Sequence, residues 1–373
     1  MKIVIATGIF IPEPGGPATY APKIAEEFLK IGHKVQVITY SDKAHYDFDE
    51  SLSYGVYRVK RANKLLNYWR YYLALLRLGR DSDIIYTFDH FSAGLPVAIF
   101  SLFFRRPFFV RVGGDFIWEK HLDATDNLVT LRQFYEQGLH RKFHQLRFRI
   151  ITWIFKQARG IIFTTEFQKD IFQKYYNLAS RKLFIINNPI DLSGISAKRS
   201  QIKREIVVPA RFINKNNLDN LIKAFVKIKD KSLTLSIIGA GPRHDQLVDL
   251  VKNLGVKNIF IEDVLSRQDL HKRLLGAYLV IFPSLTDISP NAMLECLALK
   301  VPFISSREIG FDWVKDKILT FDPLHLDEIT QAIDNLSDSV FYQNYSHQLT
   351  DIKYNYSYSE AAIDTINIFQ KYL

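Results

Sequence analysis

Short apolar segments alternate with amphipathic segments of about ten residues, and this alternation restricts the fold more than any other feature of the chain. The alternation is most regular in the second half. The apolar segments are predicted strands, at residues 206–209, 233–238, 258–261, 278–282 and 301–305. The segments between them are predicted helices, at residues 218–229, 243–253, 267–275 and 291–299. Such a series predicts an α/β fold with a parallel, doubly wound sheet.

The first half opens with the same pattern. A strand at 2–6 precedes a loop rich in Gly and Pro, a helix at 19–30 that stops near Gly32, and a second strand at 34–39. A polar stretch at 187–205 lacks periodicity and separates the two series, which places the domain boundary there.

The pattern predicts two Rossmann-like domains, at 1–190 and 200–350, and a C-terminal helix at 357–373 that packs back on the first domain. A length of 373 residues agrees with two domains of roughly 150 residues each. Open parallel sheets bind ligands at the carboxyl ends of their strands. We therefore expect the two sheets to face a central cleft that holds the ligand.

Several protein classes are excluded by composition. The single cysteine, Cys296, forms no internal disulfide and supplies no structural zinc site, so nothing requires an oxidising compartment. The longest apolar run, residues 94–104, ends at Arg105 and is shorter than the roughly 18 residues of a membrane-spanning helix. The sequence thus predicts a cytoplasmic protein without a transmembrane segment.

The net charge of +10 belongs to the first half of the chain. Residues 1–190 hold 27 Lys and Arg against 17 Asp and Glu, whereas the remainder is neutral. Such a field favours an anionic partner, and charge alone does not separate membrane phospholipid, a phosphate-bearing lipid and nucleic acid. Nucleic acid is disfavoured because no recognition motif accompanies the charge.

Two stretches, 58–80 and 141–159, mix basic with aromatic residues, as interfacial helices do. One interpretation is peripheral docking at the inner face of a membrane, near a lipid-linked acceptor. The alternative is a buried aromatic face with solvated charges.

Phosphate chemistry is indicated at two loops. Gly15 and Gly16 lie between the first strand and the first helix, where backbone amides of a helix N-terminus reach a phosphate; the alternative is a plain tight turn. Arg211 and Lys215 follow the first strand of the second half and would neutralise a diphosphate, unless they only cover a solvated loop.

The segment PSLTDISPNAMLE, residues 283–295, is the most informative part of the chain. Pro290 suits the start of a helix, so Asp287 would precede that helix and Glu295 would lie one turn into it. Both carboxylates would face one cavity and accept hydrogen bonds from sugar or ribose hydroxyls, while the free amides of the helix receive phosphate. The alternative is that Asp287 caps the helix and Glu295 is a surface charge.

This segment resembles the signature of the family 4 glycosyltransferases of the GT-B fold, in which two acidic residues are separated by seven others. The resemblance extends to GG before the first helix, GHKVQVIT, NNPID, ARF with LDNLIKAF, and IIGAGP. It implies a retaining transfer of a sugar from a UDP- or GDP-sugar to a glycan or lipid-linked acceptor, without an essential metal or other cofactor.

The resemblance also implies residue roles. Glu295 would hold the ribose, Asp287 would contact the donor sugar as a candidate catalytic residue, and the backbone near Val264 would meet the base. The diphosphate would contact a larger set of residues, namely Arg211, Lys215, Gly15, Gly16, Ser289, Pro290, Asn291 and Ala292. Electrostatic support of the departing diphosphate would be the main catalytic effect.

Three departures from the family pattern affect these roles. The first acid of the pair is Asp287 rather than the usual Glu. The lysine stands one place early, so that Asn216 takes its usual position. Gly113 occupies the place of a frequent histidine, and the sequence GGDFIWE offers Asp115 instead as a catalytic, acceptor-side candidate. A structural role for Asp115 as a helix cap is the alternative.

Further acceptor-side candidates follow strands of the first half, and the Asp89–His90 pair and Glu166 also fit a structural role. They are Asp89, His90, Trp118 and Glu119, and Glu166 opens a predicted helix after another strand. Two other protein classes stay open at this point: a non-catalytic protein that binds sugar nucleotides or glycans, and a glycan phosphorylase.

Overall fold

The computed structural model describes residues 1–125, 127–191, 199 and 201–373. The chain forms two compact units. The first unit comprises Met1–Ile117, Gly138–Pro189 and Tyr356–Leu373, and the second comprises Trp118–Gln137 and Ile190–Asn355. The assignment of an acceptor to the first domain and of a donor to the second stays a prediction.

The first unit contains a seven-stranded parallel sheet in the order β3-β2-β1-β4-β5-β6-β7. Its central strands are apolar and buried because helices cover a parallel sheet on both faces. The strands are β1 (Lys2–Thr7), β2 (Lys34–Ser41), β3 (Gly55–Lys60), β4 (Ile84–Thr87), β5 (Phe108–Val112), β6 (Gly160–Phe163) and β7 (Leu183–Ile185).

Helices accompany this sheet in the first unit. They are α1 (Gly16–Lys30), α2 (Lys64–Leu78), α3 (Gly94–Phe104), α6 (Leu139–Lys142), α7 (Gln145–Gln157), α8 (Glu166–Tyr176) and α16 (Tyr358–Gln370), with α4 (Phe116–Ala124) beginning here and α5 (Leu131–Glu136) lying in the second unit. Helix α1 starts three residues before the predicted position, because Pro17 in the first turn loses no helical hydrogen bond.

The core of the first unit includes a helix from the end of the chain. Helix α16 packs against α1, and its Phe369 ring lies 6.4 Å from Phe28. The same ring lies 5.2 Å from Tyr86 and 4.7 Å from Phe109, which are residues of strands β4 and β5. Residues from both ends of the chain thus complete one hydrophobic core.

The second unit contains a six-stranded parallel sheet in the order β10-β9-β8-β11-β12-β13. The strands are β8 (Lys203–Pro209), β9 (Thr234–Ile238), β10 (Ile259–Glu262), β11 (Ala277–Phe282), β12 (Phe303–Ser306) and β13 (Thr320–Phe321). The helices are α9 (Leu218–Lys227), α10 (His244–Leu254), α11 (Arg267–Gly276), α12 (Asn291–Leu299), α13 (Asp312–Lys315), α14 (Leu326–Asn335) and α15 (Ser339–Thr350).

The predicted fold class, two parallel Rossmann-like sheets with helices, is confirmed. Every strand and helix predicted in the second half is present, and α12 has the predicted bounds. The polar stretch at 187–205 is only partly described, because residues 192–198 and 200 lie outside the described residues. Its last three residues belong to β8, which begins earlier than predicted.

Candidate active site

Arg211 lies in the loop after β8. Two glycines in the loop after β9 allow the main chains of the two loops to come close together. A Cβ atom on Gly239 would lie 2.0 Å from the carbonyl oxygen of Ala210, and one on Gly241 would lie 2.6 Å from that of Phe212. Gly241 also has a φ of 156°, a conformation that favours glycine. The two loops therefore pack backbone against backbone, and this contact fixes the main chain at Arg211.

Lys215 lies in a short 3-10 helix, Asn214–Asn216, in the same loop. Its carbonyl oxygen accepts a hydrogen bond from the amide of Leu285 at 2.9 Å, and the Asn216 side chain donates to the carbonyl of Arg211 at 2.7 Å. Leu285 follows β11, the neighbour of β8 in the sheet. The two basic residues and the loop after β11 thus meet at the carboxyl ends of paired strands.

Asp287 lies half-buried in the loop after β11. Its amide donates to the carbonyl of Glu308 at 2.9 Å, and the Ser284 hydroxyl donates to its Oδ2 at 3.4 Å. Burial raises the pKa of Asp287 above its ordinary value, whereas the positive charges of Lys215 and Arg211 lower that pKa. The carboxylate therefore lies in the field of both basic residues.

Glu119 also reaches this cluster. Its Oε1 lies 3.3 Å from the Nζ atom of Lys215, and its negative charge raises the pKa of Asp287. The segment that carries it is held nearby, since the Asn214 side chain donates to the carbonyl of Leu122 at 2.7 Å. Lys215 therefore interacts with two carboxylates, a contact that the sequence analysis did not foresee.

The N-terminus of α12 lies directly after the Asp287 loop. The N-cap residue of α12 is Pro290, whose side chain forms no capping hydrogen bond. Asp287 is therefore not the residue that caps this helix. The first amides of a helix, here those of Asn291 and Ala292, point out of its N-terminus. The Ser289 hydroxyl is buried and has no hydrogen-bond partner among the described residues. These donors, with the helix dipole, favour an anion at this point.

Glu295 is not a free surface charge. Its Oε1 lies 3.3 Å from an Arg267 nitrogen, and its Oε2 lies 3.4 Å from Nε2 of His271. Arg267 also donates to the main-chain carbonyl of Asp191 at 3.1 Å. Sequence reasoning missed both partners of Glu295, although their four-residue spacing on a predicted helix shows that they share one face.

The remaining donor-side candidate is Val264, in the loop after β10. Its side chain is 70 % exposed. The structure thus brings Arg211, Lys215, Asp287 and the start of α12 together, and places Val264 at the carboxyl end of another strand of the same sheet.

Gly15 and Gly16 lie in the first unit. Gly15 is the N-cap of α1 with a φ of 147°, and a Cβ atom there would lie 2.5 Å from the Ile9 side chain. A Cβ atom on Gly16 would meet nothing within 4 Å. The glycines therefore allow a tight turn and leave the helix N-terminus open, and their contact with phosphate stays a prediction.

Asp89 and His90 both have contacts within the first unit. One oxygen of Asp89 accepts hydrogen bonds from the amides of Phe91 and Ser92, at 2.6 and 2.8 Å. His90 is buried, with its ring 5.7 Å from that of Phe155. This geometry agrees with the structural alternative for the pair.

The other acceptor-side candidates differ in exposure. Asp115 is buried, and so is Trp118, whose indole donates to the carbonyl of Val129 at 2.9 Å. Trp118 is thus packed in the interior of the protein, and its role toward the acceptor stays a prediction. Glu166 begins α8 and forms an ion pair with Lys169 one turn later. A role for Asp115 toward the acceptor stays a prediction.

Three possible metal ligands, Asp322, His325 and Glu328, lie within 4.8 Å of one another after β13. Their atoms already have partners: Asp322 accepts from the Leu324 amide at 2.9 Å, and Glu328 pairs with Arg307. The group does not include any of the predicted donor residues. The expectation that no metal is needed stays a prediction.

The basic aromatic stretches at 58–80 and 141–159 are only partly surface features. Arg58 is buried and forms two hydrogen bonds of 2.7 Å with Asp49. Arg61 is half-buried and also paired with carboxylates. The expectation that these two arginines belong to a free basic surface is therefore wrong, because acids earlier in the chain neutralise them.

Comparison with known proteins places the chain in a family. The model for Glycosyltransferase Family 4 matches residues 14–193, and that for Glycosyl transferases group 1 matches residues 203–339. The chain belongs to glycosyltransferase family 4. A glycosyltransferase of Methanocaldococcus jannaschii is 24% identical, over 99% of this chain and 98% of that protein. The protein is thus a transferase of the hexosyltransferase type.

Solved structures show the GT-B fold of this family 4 member. The HepE protein of Anabaena, in complex with UDP-glucose, has a TM-score of 0.79 at 15% identity, with all of both chains covered. Sucrose-phosphate synthase of Thermosynechococcus elongatus has a TM-score of 0.77 at 12% identity, over 99% of this chain and 98% of that one. Within the described residues, no helix combines the length and apolarity needed to cross a membrane.

Proposed function

We propose that this glycosyltransferase moves a sugar from a UDP- or GDP-sugar to a glycan or lipid-linked acceptor, with retention of the anomeric configuration. The observation that carries the proposal is the cluster of Arg211, Lys215 and Asp287 beside the N-terminus of α12. The complex of the similarly folded HepE protein with UDP-glucose supports this type of donor.

The diphosphate would bind to the basic part of the cluster. Arg211 is exposed and forms no ion pair within the part of the chain that the structure describes, so its guanidinium is available for two parallel hydrogen bonds to phosphate. Lys215 and the amides of Asn291 and Ala292 would add further positive charge and donors. The contribution of Gly15 and Gly16 remains part of the proposal.

The two carboxylates would bind hydroxyl groups. Glu295 is oriented by Arg267 and His271, and a carboxylate has about four acceptor positions, so it keeps room for two ribose hydroxyls. Asp287 would accept from hydroxyls of the donor sugar. Val264 would offer its backbone to the base.

The chemical step would depend on charge at the leaving group. As the bond between the sugar and the diphosphate breaks, negative charge grows on the phosphate, and Arg211 with Lys215 would stabilise it. The acceptor oxygen attacks the same face of the sugar, and its proton passes to the departing phosphate oxygen. Because the protein supplies the positive charge, this proposal requires no metal or other cofactor. Asp115 is the proposed polar group on the acceptor side.

The excess positive charge of the first 190 residues supports a lipid-linked acceptor at an anionic membrane. We therefore propose a cytoplasmic enzyme that acts at the inner face of the membrane, with no nucleic acid partner.

Calorimetric titration with UDP and GDP tests the donor site. Arg211→Ala is expected to weaken binding of the preferred nucleotide about tenfold or more, because a charge-assisted hydrogen bond contributes roughly 1.5 to 3 kcal/mol. Glu295→Gln is expected to weaken it less. Arg307→Ala is the matched control, an exposed arginine of the same unit that pairs with Glu328. Unchanged affinity in both site variants would refute the assignment.

Catalysis is tested by following the release of nucleoside diphosphate from UDP-glucose and by the anomeric configuration of the product. The proposal expects release that depends on an acceptor glycan and a product with the configuration of the donor. Inversion would refute the retaining mechanism.

A further inference from the structure

Three helices of the first unit form a basic layer. Helix α3 packs against both α2 and α7. The segments that contain these helices, 64–80, 94–106 and 139–159, hold twelve Lys and Arg residues and no Asp or Glu. The whole chain has a net charge of +10, so the charge of these segments exceeds the net charge of the protein.

The same layer exposes large apolar side chains. On α2, Leu65 is 83 % exposed and Trp69 58 %, and Leu73 continues their four-residue spacing along one side of the helix. At the end of α3, Leu102 is exposed and Phe103 is 73 % exposed. Several large apolar side chains are thus exposed on two helices that pack together, which is typical of a binding surface.

The third helix continues the pattern. Phe143 precedes α7 and Leu146 lies in its first turn, and both are exposed. Arg147 and Arg149 are exposed on the same turn of the chain. Exposed apolar and basic side chains thus occur together on α2 and α7, and Arg105 and Arg106 follow the apolar end of α3.

The positive charges of the layer are not neutralised by acids. Among the residues that the structure describes, none of the exposed basic side chains of the three segments forms an ion pair with Asp or Glu. Several lie over aromatic rings instead, with Arg80 4.8 Å from the Phe104 ring and Lys142 5.2 Å from the Phe143 ring. This arrangement differs from that of the neutralised Arg58 and Arg61.

We propose that the outer face of α2, α3 and α7 docks on a bilayer that contains anionic lipid. The basic residues would lie at the level of the headgroups, and the exposed aromatic and aliphatic side chains would enter the boundary with the acyl chains. A bilayer provides both environments at once, whereas nucleic acid offers phosphate without an apolar phase. The inference rests on the proposed function, because it states where the enzyme meets a lipid-linked acceptor.

Co-sedimentation with vesicles tests the surface. The full chain is mixed with vesicles of phosphatidylcholine, or of an equal mixture of phosphatidylcholine and phosphatidylglycerol. Binding is expected only to the anionic vesicles, and it is expected to fall as the Debye length shrinks from about 10 Å at 0.1 M salt to about 3 Å at 1 M. Equal binding to both vesicles, or binding to neither, would overturn the proposal.

Substitutions in α3 test how much the exposed apolar side chains contribute to vesicle binding. Leu102→Ser combined with Phe103→Ser is expected to lower partition into anionic vesicles about tenfold or more, because two inserted side chains are lost. Val340→Ser combined with Phe341→Ser is the matched control, since both residues are exposed on α15 of the second unit. The proposal fails if the control pair reduces binding as much as the α3 pair.

A second pair of variants tests how much the basic side chains contribute to vesicle binding. Arg147→Ser with Arg149→Ser is expected to reduce binding roughly thirtyfold at low salt, since each basic residue near an anionic surface contributes about 1 kcal/mol. Lys252→Ser with Lys257→Ser, exposed lysines of the second unit, is expected to change it little. Thermal unfolding checks that each variant folds. Equal losses in the two pairs would refute a localised surface.

Two further measurements separate this inference from the proposed function. UDP binding is measured by calorimetry on the same variants, and unchanged affinity with lost vesicle binding supports the docking surface. If the parent protein binds anionic vesicles but no nucleotide, the proposed donor site is refuted and the docking surface is not. Sedimentation velocity without lipid is the other measurement: self-association that the Leu102 and Phe103 changes abolish would show that the face joins copies of the chain instead.

Discussion

Replacing Glu119 by Gln is expected to tighten the binding of UDP by up to about fivefold. The Glu119 carboxylate lies 3.3 Å from Nζ of Lys215, and the two side chains are 37 % and 19 % exposed. A diphosphate that binds Lys215 must compete with this carboxylate. Ion pairs with such exposure contribute about 0.2 to 1 kcal/mol, and 1 kcal/mol corresponds to about a fivefold change in a dissociation constant.

Calorimetry at low ionic strength measures the effect directly. Gln keeps the size of the side chain and removes only its charge, so the site should retain its shape. The gain should shrink at 1 M salt, where the Debye length is about 3 Å. Asp327→Asn is the matched control, because Asp327 forms a similar ion pair of 3.2 Å with Lys227 in the same unit.

Two results would refute this reasoning. Weaker UDP binding by a folded Glu119→Gln protein would show that Glu119 holds Lys215 in position for phosphate and does not compete with it. An affinity equal to that of the parent and of the Asp327→Asn control would show that Lys215 does not contact the diphosphate.

Three other variants give independent tests. Asp287→Asn should unfold at a higher temperature than the parent at pH 7, because burial raises the pKa of the Asp287 carboxyl and the parent loses stability as the pH rises through that pKa. The difference in unfolding temperature should vanish below about pH 3, where the carboxyl is protonated in both the folded and the unfolded parent. Sugar transfer by Asp287→Asn should be lost. Gly241→Ala should lower both thermal stability and UDP affinity by shifting the loop after β8, whereas Gly255→Ala, with a φ of 64° and open space around it, should cost only about 1 kcal/mol of stability. Arg58→Ser should reduce the free energy of unfolding in urea by roughly 3 to 5 kcal/mol, because it leaves a buried carboxylate unpaired, and the exposed Lys60→Ser should change it little.

The regular elements of the second unit could be predicted because local patterns determine them. Strands such as β11 are continuous apolar runs, and α12 begins at a proline that follows a loop. Parallel topology then brings residues after β8 and β11 to one edge of the sheet. The proximity of Arg211, Lys215 and Asp287 follows from these local facts.

Contacts between distant parts of the chain could not be predicted in this way. Glu119 and Lys215 are separated by 96 positions, and no local pattern assigns the segment Trp118–Gln137 to the second unit. Arg58 looked like part of a basic surface, because its sequence neighbours are basic and its partner Asp49 lies on a separate element. Whether a charge is buried, paired or exposed depends on packing that the sequence of one segment does not contain.

The position of α16 determines the order in which the two units are completed during synthesis. Every residue of the second unit has been made once residue 355 is added, whereas the core of the first unit still lacks Phe369. Domains usually finish folding from the N-terminus during translation. Until α16 has been made, Phe28, Tyr86 and Phe109 lack their contacts with Phe369, so we expect the nascent first unit to expose aromatic surface that chaperones bind.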